Sequence, residues 1–157
     1  MAINTYSPSD VDFLIDGFKV VAWENMSLKR DNDSYTFVKG IRGKNTRVRN
    51  YNKSVSIELA VLQTSEVHDV LTEIHRQDAL VDESADNGRL VITLKDRSGT
   101  SSFISEDAYI VGLPDLKFSQ DFETRVWRIQ CHTFNIFKVG GNLRPTTNLI
   151  DSIFNKI

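Results

Sequence analysis

Residues 63–79 carry the periodicity of a helix in a chain whose other apolar residues mostly alternate as they do in strands. The apolar residues of this stretch recur at i, i+3, i+4 and i+7, which places them on one stripe of a helix; they are Val67, Val70, Leu71 and Ile74. A helix with a single apolar stripe must cover another apolar surface, and the strands predicted at 55–62 and 89–95 supply one. The pattern therefore predicts a mainly β protein with one flanking α-helix at about 64–79.

The composition is that of an ordinary soluble globular protein. The 157 residues suffice for one domain, 1–157, with a substantial core. A hydrophobic content of 40% and a formal net charge of −2 indicate no particular partner. The single cysteine, Cys131, excludes an intramolecular disulfide. No apolar run approaches the length of a membrane span, and the N-terminus lacks the features of a signal peptide. We therefore expect no membrane partner and assembly in the cytoplasm.

Two strand patterns in the first half of the chain are clear. Apolar residues alternate on both sides of Asp16-Gly17, a dipeptide that favours the turn of a β-hairpin because both positions require positive φ. The cleanest alternation runs over 55–62, where Ser56 and Glu58 lie between apolar neighbours. This strand is expected to turn one side to a core and the other to water.

The second half of the chain is less regular. An acidic loop is expected at 82–88, two short strands at 103–104 and 108–111, and a short terminal helix at 149–154. A straight strand over 125–139 would span roughly 45 Å at about 3.3 Å per residue, which is longer than an ordinary strand. Either the segment bends near Phe134-Asn135, or it extends beyond its own domain to line an assembly.

The segment 39–53 is strongly basic and contains no acid. Its cations are Lys39, Arg42, Lys44, Arg47, Arg49 and Lys53. Few of its residues could fill a core, so an extended hairpin arm is predicted. Three roles remain open: a solvated hairpin, an interface with acids of a neighbouring copy such as Asp78, or phosphate contacts to nucleic acid aided by stacking on Tyr51.

No group of residues has the pattern of a catalytic, cofactor-binding or metal-binding site. His68 and His75 lie about 10.5 Å apart along a helix, at about 1.5 Å per residue, which is too far to share one zinc ion readily. Both are expected at the edge of the apolar stripe. Cys131 and His132 are adjacent on a predicted strand and point to opposite faces, so they cannot pair, and Cys131 is expected to be buried. We therefore expect that the protein is not an enzyme.

Taken in order, several segments resemble one family across nearly the whole chain. They are VDFLIDGF (11–18), RDNDSYTFVKGIRGKNTRVRN (30–50) followed by SVSIELAVLQTSEVHDVLTEIH (54–75), GLPDLKFSQDFETRVWRIQC (112–131) and FNIFKVGGN (134–142). Their order and spacing resemble those of the tail tube proteins of contractile-tailed bacteriophages. These proteins are relatives of the tube proteins of type VI secretion systems and R-type pyocins.

The resemblance implies the tail tube fold, an antiparallel β-sandwich or small barrel with one flanking helix and the extended arm. It also implies a structural virion protein of the phage tail whose hexameric rings stack into the inner tube. DNA would pass through the lumen during ejection without specific binding. The partners would be further copies of the chain, the tail sheath protein, and the baseplate and tape measure proteins.

In such a tube, the polar side of strand 55–62 would put Ser56 and Glu58 toward the lumen. Cations facing DNA would add phosphate contacts and friction, so the arm is expected to point toward an adjacent subunit or ring. The residues expected at these interfaces are Lys39, Arg42, Lys44, Arg47, Arg49, Asp82, Glu83 and Asp86.

Three alternatives remain open. A tube protein of a secretion or pyocin-like system, or a tail terminator, would share the fold and differ in its neighbours. A protein of another class, a monomeric nucleic-acid-binding β-barrel, would use the arm 39–53 as its binding groove.

Overall fold

The structure, a computed structural model, describes residues 6–80 and 88–141. It contains one α-helix, α1 (Val67–Leu80), and a short 3-10 turn, Pro8–Asp10. The strands in chain order are β1 (Val11–Ile15), β2 (Phe18–Lys19), β3 (Trp23–Arg30), β4 (Tyr35–Lys39), β5 (Asn45–Arg49), β6 (Val55–Leu62), β7 (Leu90–Asp96), β8 (Ser102–Gly112), β9 (Thr124–Thr133) and β10 (Ile136–Lys138). The prediction of a mainly β protein with antiparallel sheets and one helix is confirmed, and the strands are consistent with a β-sandwich.

The described residues form two compact units. Of the described residues, unit 1 consists of 6–20, Leu90–Glu106 and 135–141. Unit 2 consists of 21–80, 88–89 and Asp107–Phe134. The single domain expected over 1–157 stays a prediction. No helix in the described ranges is both long and apolar enough to cross a membrane.

Unit 1 is built on the predicted hairpin. Asp16 and Gly17 have φ values of 51° and 82°, the positive values that a tight two-residue turn requires, and the turn joins β1 to β2. β1 also pairs antiparallel with β7, and β10 pairs with the first part of β8. The buried apolar side chains of this unit are Phe13, Ile15, Val20, Leu90, Ile92 and Phe103.

Unit 2 is an antiparallel sheet in the order β8-β9-β6-β3, with β4 and β5 as a separate two-stranded sheet. β6 pairs with β9 along its whole length. The side chains buried on one face of β6 and β9 are Val55, Ile57, Leu59, Val61, Trp127, Ile129 and Cys131. α1 buries Val67, His68 and Leu71. The helix begins three residues after the predicted start, where the Ser65 hydroxyl accepts a hydrogen bond from the Val67 amide at 3.2 Å.

Two predictions about the second half of the chain have different outcomes. The two short strands predicted at 103–104 and 108–111 are wrong, because β8 is continuous over this range; its pairing with β9 is irregular between Asp107 and Ala108. Of the two alternatives left open for residues 125–139, the structure shows an interruption at Phe134-Asn135, since β9 ends at Thr133 and β10 starts at Ile136. The predicted acidic loop, apart from Gly88, and the predicted helix at 149–154 lie outside the described residues.

Candidate subunit interface

The basic segment forms an extended hairpin, as predicted, but the hairpin covers residues 35–49 rather than 39–53, so residues 50–53 follow it without strand structure. β4 and β5 pair from Tyr35 with Arg49 to Lys39 with Asn45. The turn between them is closed by a hydrogen bond of 2.8 Å from the Gly40 amide to the Lys44 carbonyl. We call residues 35–49 the arm. Every residue of it beyond Tyr35 is exposed.

The two faces of the arm differ in chemistry because side chains alternate along each strand. On one face, Arg47 pairs with Phe37 and Arg49 pairs with Tyr35. The guanidinium carbon of Arg47 lies 3.5 Å from the centre of the Tyr35 ring, and that of Arg49 lies 5.5 Å from it. The other face carries the β-branched side chains Thr36, Val38, Thr46 and Val48. Arg47 and Arg49 are therefore held against the Tyr35 ring of the same hairpin.

The arm also exposes apolar side chains, which its charge pattern does not indicate. Phe37 is 75% exposed, and Ile41, in the turn, is fully exposed. A two-stranded hairpin with no core of its own is only marginally stable in water. Contiguous exposed apolar side chains on such an element are typical of a surface that another molecule covers. The apolar residues Tyr35, Phe37 and Val38 are visible in the sequence, but they indicate only a strand and not that its side chains are exposed.

The predicted interface residues fall into two groups. Lys39, Arg42, Lys44, Arg47 and Arg49 are all exposed on the arm, and none of them forms an ion pair with another described residue. The predicted acidic partners Asp82, Glu83 and Asp86 lie outside the described residues. The contact between these two groups stays a prediction.

A second exposed apolar segment, residues 113–122, connects β8 to β9. Phe118 and Phe122 are 72% and 79% exposed, and Leu113 and Leu116 are also exposed. Two aspartates and one lysine accompany them: Asp115, Lys117 and Asp121. In the sequence, residues 112–131 carry part of the family resemblance, and no local pattern within them indicates that these apolar side chains are exposed.

The residues predicted to face a lumen lie on the side of the unit 2 sheet opposite its buried face. Glu58 is exposed, opposite Ser27 on β3 and Arg128 on β9. Ser56 is half-buried and donates a hydrogen bond to the Asp31 carboxylate, which also accepts one from the Gln130 amide at 2.6 Å. Around Ser56 and Glu58 this side of the sheet is polar, as predicted; its orientation toward a lumen stays a prediction.

No cluster of possible metal ligands occurs in the described ranges. His68 has hydrogen-bond partners within the fold. His68 is buried rather than at the edge of the helix stripe. Its Nε2 lies 2.8 Å from the Leu62 carbonyl oxygen, and its Nδ1 lies 3.0 Å from the Trp127 indole nitrogen. Burial lowers the pKa of His68. His75 is half-buried, and Cys131 is fully buried, as expected.

Comparison with known proteins gives two relationships. No protein-family model matches the sequence. In structure the chain is similar to the tube terminating cap in a cryo-EM structure of the anti-feeding prophage cap, with a TM-score of 0.63 and 11% identity over 88% of this chain and 95% of that one; this likeness establishes the fold. In sequence it is 31% identical to structural protein ORF10 of Pseudomonas phage KPP10 over 161 residues, which cover 96% of this chain and 90% of that protein. The chain therefore belongs to the family of this phage structural protein.

Proposed function

We propose that this chain is a tail tube protein whose hexameric rings stack into the inner tube of a contractile phage tail, the conduit for DNA ejection. Membership in a family of phage structural proteins supports a structural, non-enzymatic role in the virion. The fold shared with a tube terminating cap supports a place in a tube. The observation that carries the proposal is the exposed arm, whose apolar and cationic side chains have no covering surface among the described residues of one copy.

A ring would also protect an exposed strand edge. In unit 2, β3 ends the strand order and pairs only with β6 among the described strands, so its other edge has free backbone groups. Small β-proteins must cover such edges or they aggregate. A closed ring with a heterologous interface would join this edge to a neighbouring copy, and it would place the arm residues Lys39, Arg42, Lys44, Arg47 and Arg49 against acids of that copy. The acids proposed for this contact are Asp82, Glu83 and Asp86.

The polar side of the unit 2 sheet is proposed to line the lumen. Glu58 is exposed there, and the Asp31 carboxylate is held by Ser56 and Gln130. Carboxylates near the wall reduce the attraction of nearby cations for phosphate, so DNA could pass without specific binding. The proposed partners outside the tube are the tail sheath, baseplate and tape measure proteins, and assembly would take place in the host cytoplasm.

The similarity to a tube terminating cap favours a second candidate, a tail terminator. A terminator would form a ring that closes one end of a tube, whereas a tube protein would polymerise through many rings. A tube protein of a secretion or pyocin-like system would polymerise in the same way as a phage tube protein.

Negative-stain electron microscopy of the purified protein tests the proposal. A tube protein is expected to form rings at low concentration and stacked tubes at high concentration. Rings that never stack at any concentration would favour the terminator. A particle that stays monomeric and binds free DNA in a salt-dependent manner would contradict both and support the nucleic-acid-binding β-barrel.

A further inference from the structure

An open cleft of about 280 Å³ lies where the arm joins the unit 2 sheet. The cations and aromatic rings that line it are Arg30, Tyr35, Arg49, Tyr51, Lys53 and Phe134. The Arg30 guanidinium carbon and the Lys53 ammonium lie 5.6 and 5.7 Å from the centre of the Phe134 ring. Among the described residues, 6–80 and 88–141, no acidic residue lines the cleft, and these cations form no ion pair with any of them.

One cation of the cleft is fixed by hydrogen bonds, and the other two are exposed. Arg30 is held in place because its guanidinium donates hydrogen bonds to the Ser34 hydroxyl and, at 2.8 Å, to the Asn52 carbonyl. Arg49 and Lys53 are exposed, so their charges are available to an incoming group. Arginine and lysine bind carboxylates through charge-assisted hydrogen bonds, and aromatic walls bury apolar side chains. The cleft therefore suits a carboxylate that is flanked by aromatic residues.

A segment that combines a carboxylate with aromatic side chains is exposed just before β9, at the end of that strand opposite the cleft. In residues 113–122, Asp121 lies next to Phe122 and three residues after Phe118, and all three are exposed. The segment leads directly into β9, whereas Phe134 of the cleft follows the last residue of that strand. The ten residues of β9 span roughly 30 Å at about 3.3 Å per residue. Both surfaces belong to unit 2, so the segment cannot reach the cleft of its own copy.

We propose that the segment 113–122 of one copy binds in the cleft at the base of the arm of a second copy, with Asp121 beside Arg49 and Lys53. Phe118 and Phe122 would pack against the aromatic residues of the cleft. Because the two surfaces are different and lie at opposite ends of one strand, the contact is heterologous and repeats head to tail, as rings and stacked rings require. The inference rests on the proposed function and specifies one contact of that assembly.

Charge reversal on the full-length purified chain tests the contact. The variants are Arg49→Glu with Lys53→Glu, Asp121→Lys, and all three together; Lys95→Glu, at an exposed lysine of unit 1, is the matched control. Self-association is measured by sedimentation, and thermal melting followed by circular dichroism verifies that each variant folds. Each reversal alone is expected to weaken association at least about tenfold, and the combination is expected to restore most of it. The control is expected to associate as the wild type does.

Each outcome bears on the contact. Unchanged association in the single reversals, or no recovery in the combination, would overturn the inference; if wild-type tubes still form, the proposed function survives. Association that follows the expected pattern but produces no rings or tubes would support the contact and refute the tube. A wild-type chain that stays monomeric at every concentration would refute both. Salt-dependent binding of an oligonucleotide that Arg49→Glu abolishes, with association insensitive to Asp121→Lys, would identify phosphate as the ligand and overturn the inference.

Discussion

The indole nitrogen of Trp127 donates a hydrogen bond to Nδ1 of His68 at 3.0 Å, and both side chains are buried. The other imidazole nitrogen, Nε2, lies 2.8 Å from the Leu62 carbonyl oxygen and donates to it. Since Nδ1 accepts and Nε2 donates, the ring is the neutral tautomer with its proton on Nε2. A single side chain thus connects α1 to β9 and to the end of β6.

Replacing this histidine should destabilise the fold. In His68→Leu, the buried Trp127 N–H loses its acceptor and the Leu62 carbonyl loses a donor, so the free energy of unfolding should fall by about 2 kcal/mol or more. Urea denaturation measures the change. His132→Ala, at an exposed position of β9, is the control and should stay within about 0.5 kcal/mol of the wild type. Equal stability of His68→Leu and the wild type would refute the role assigned to the imidazole.

The same pair predicts a pH dependence. Burial lowers the pKa of folded His68 from its ordinary value of 6.5. The unfolded chain therefore binds the proton more readily than the folded chain. The contribution of the neutral His68 side chain to the free energy of unfolding is complete above pH 6.5 and is lost as the pH falls from 6.5 toward the folded pKa. Denaturation of the wild type and His68→Leu at about pH 7.5 and about pH 5.5 should show a smaller difference between the two proteins at the lower pH. A difference that grows on acidification would contradict this.

Gly140 and Gly141 should tolerate alanine very differently. A Cβ on Gly140 would lie 2.6 Å from the Thr100 carbonyl carbon and 2.8 Å from the Ser101 amide nitrogen, whereas a Cβ on Gly141 would meet nothing within 4 Å. The Ser101 hydroxyl also hydrogen-bonds both the amide and the carbonyl of Gly140. Gly140→Ala should therefore cost about 1–3 kcal/mol in unfolding free energy. Gly141→Ala should cost less than about 0.5 kcal/mol; equal effects would contradict the packing described.

The apolar side chains of the arm should matter for assembly and not for folding. Phe37 and Ile41 are exposed in one copy, so Phe37→Ser with Ile41→Asp should change the melting temperature of the subunit little. The same variant should form few or no rings and tubes under the electron microscope. Thr36→Ser, at a neighbouring exposed position, should assemble normally. Normal tubes from the double variant would show that the arm surface lies outside the interfaces.

The proposed lumen residue Glu58 should affect DNA passage and not assembly. Glu58→Lys would place a third cation beside Lys29 and Arg128, which lie on the same side of the sheet. Each added cation in a lumen would add about one phosphate contact. Tubes of this variant should form normally but should retain an oligonucleotide at low salt. Glu58→Gln should retain it less, and no retention by either variant would place Glu58 away from the lumen.

Much of the fold was predictable because it depends on local patterns. Alternation of Val55, Ile57 and Leu59 predicts β6, since side chains on a strand alternate between faces whatever lies beside them. The Asp16-Gly17 turn was predictable because positive φ at two successive positions is a local requirement. Helix periodicity located α1, although not its first turn, where the cap at Ser65 sets the start.

The candidate interface was predictable only in part. The charge of the arm is visible in the sequence, and so is its lack of acids. The exposure of Phe37, Ile41 and Phe118 is not, because apolar residues in alternating or aromatic-rich segments are usually buried, and only the packing of the whole chain shows which of them remain uncovered.

The sequence by itself determined the strand and helix periods, the hairpin turn and the basic arm, since each follows from neighbouring residues. Tertiary structure alone decided that β8 is continuous, that His68 is buried against Trp127, and that the arm-base cleft and the segment 113–122 lie at opposite ends of β9. These features depend on which strands pair and in which register. Residues far apart in the chain meet only when backbone hydrogen bonds and core packing are satisfied together.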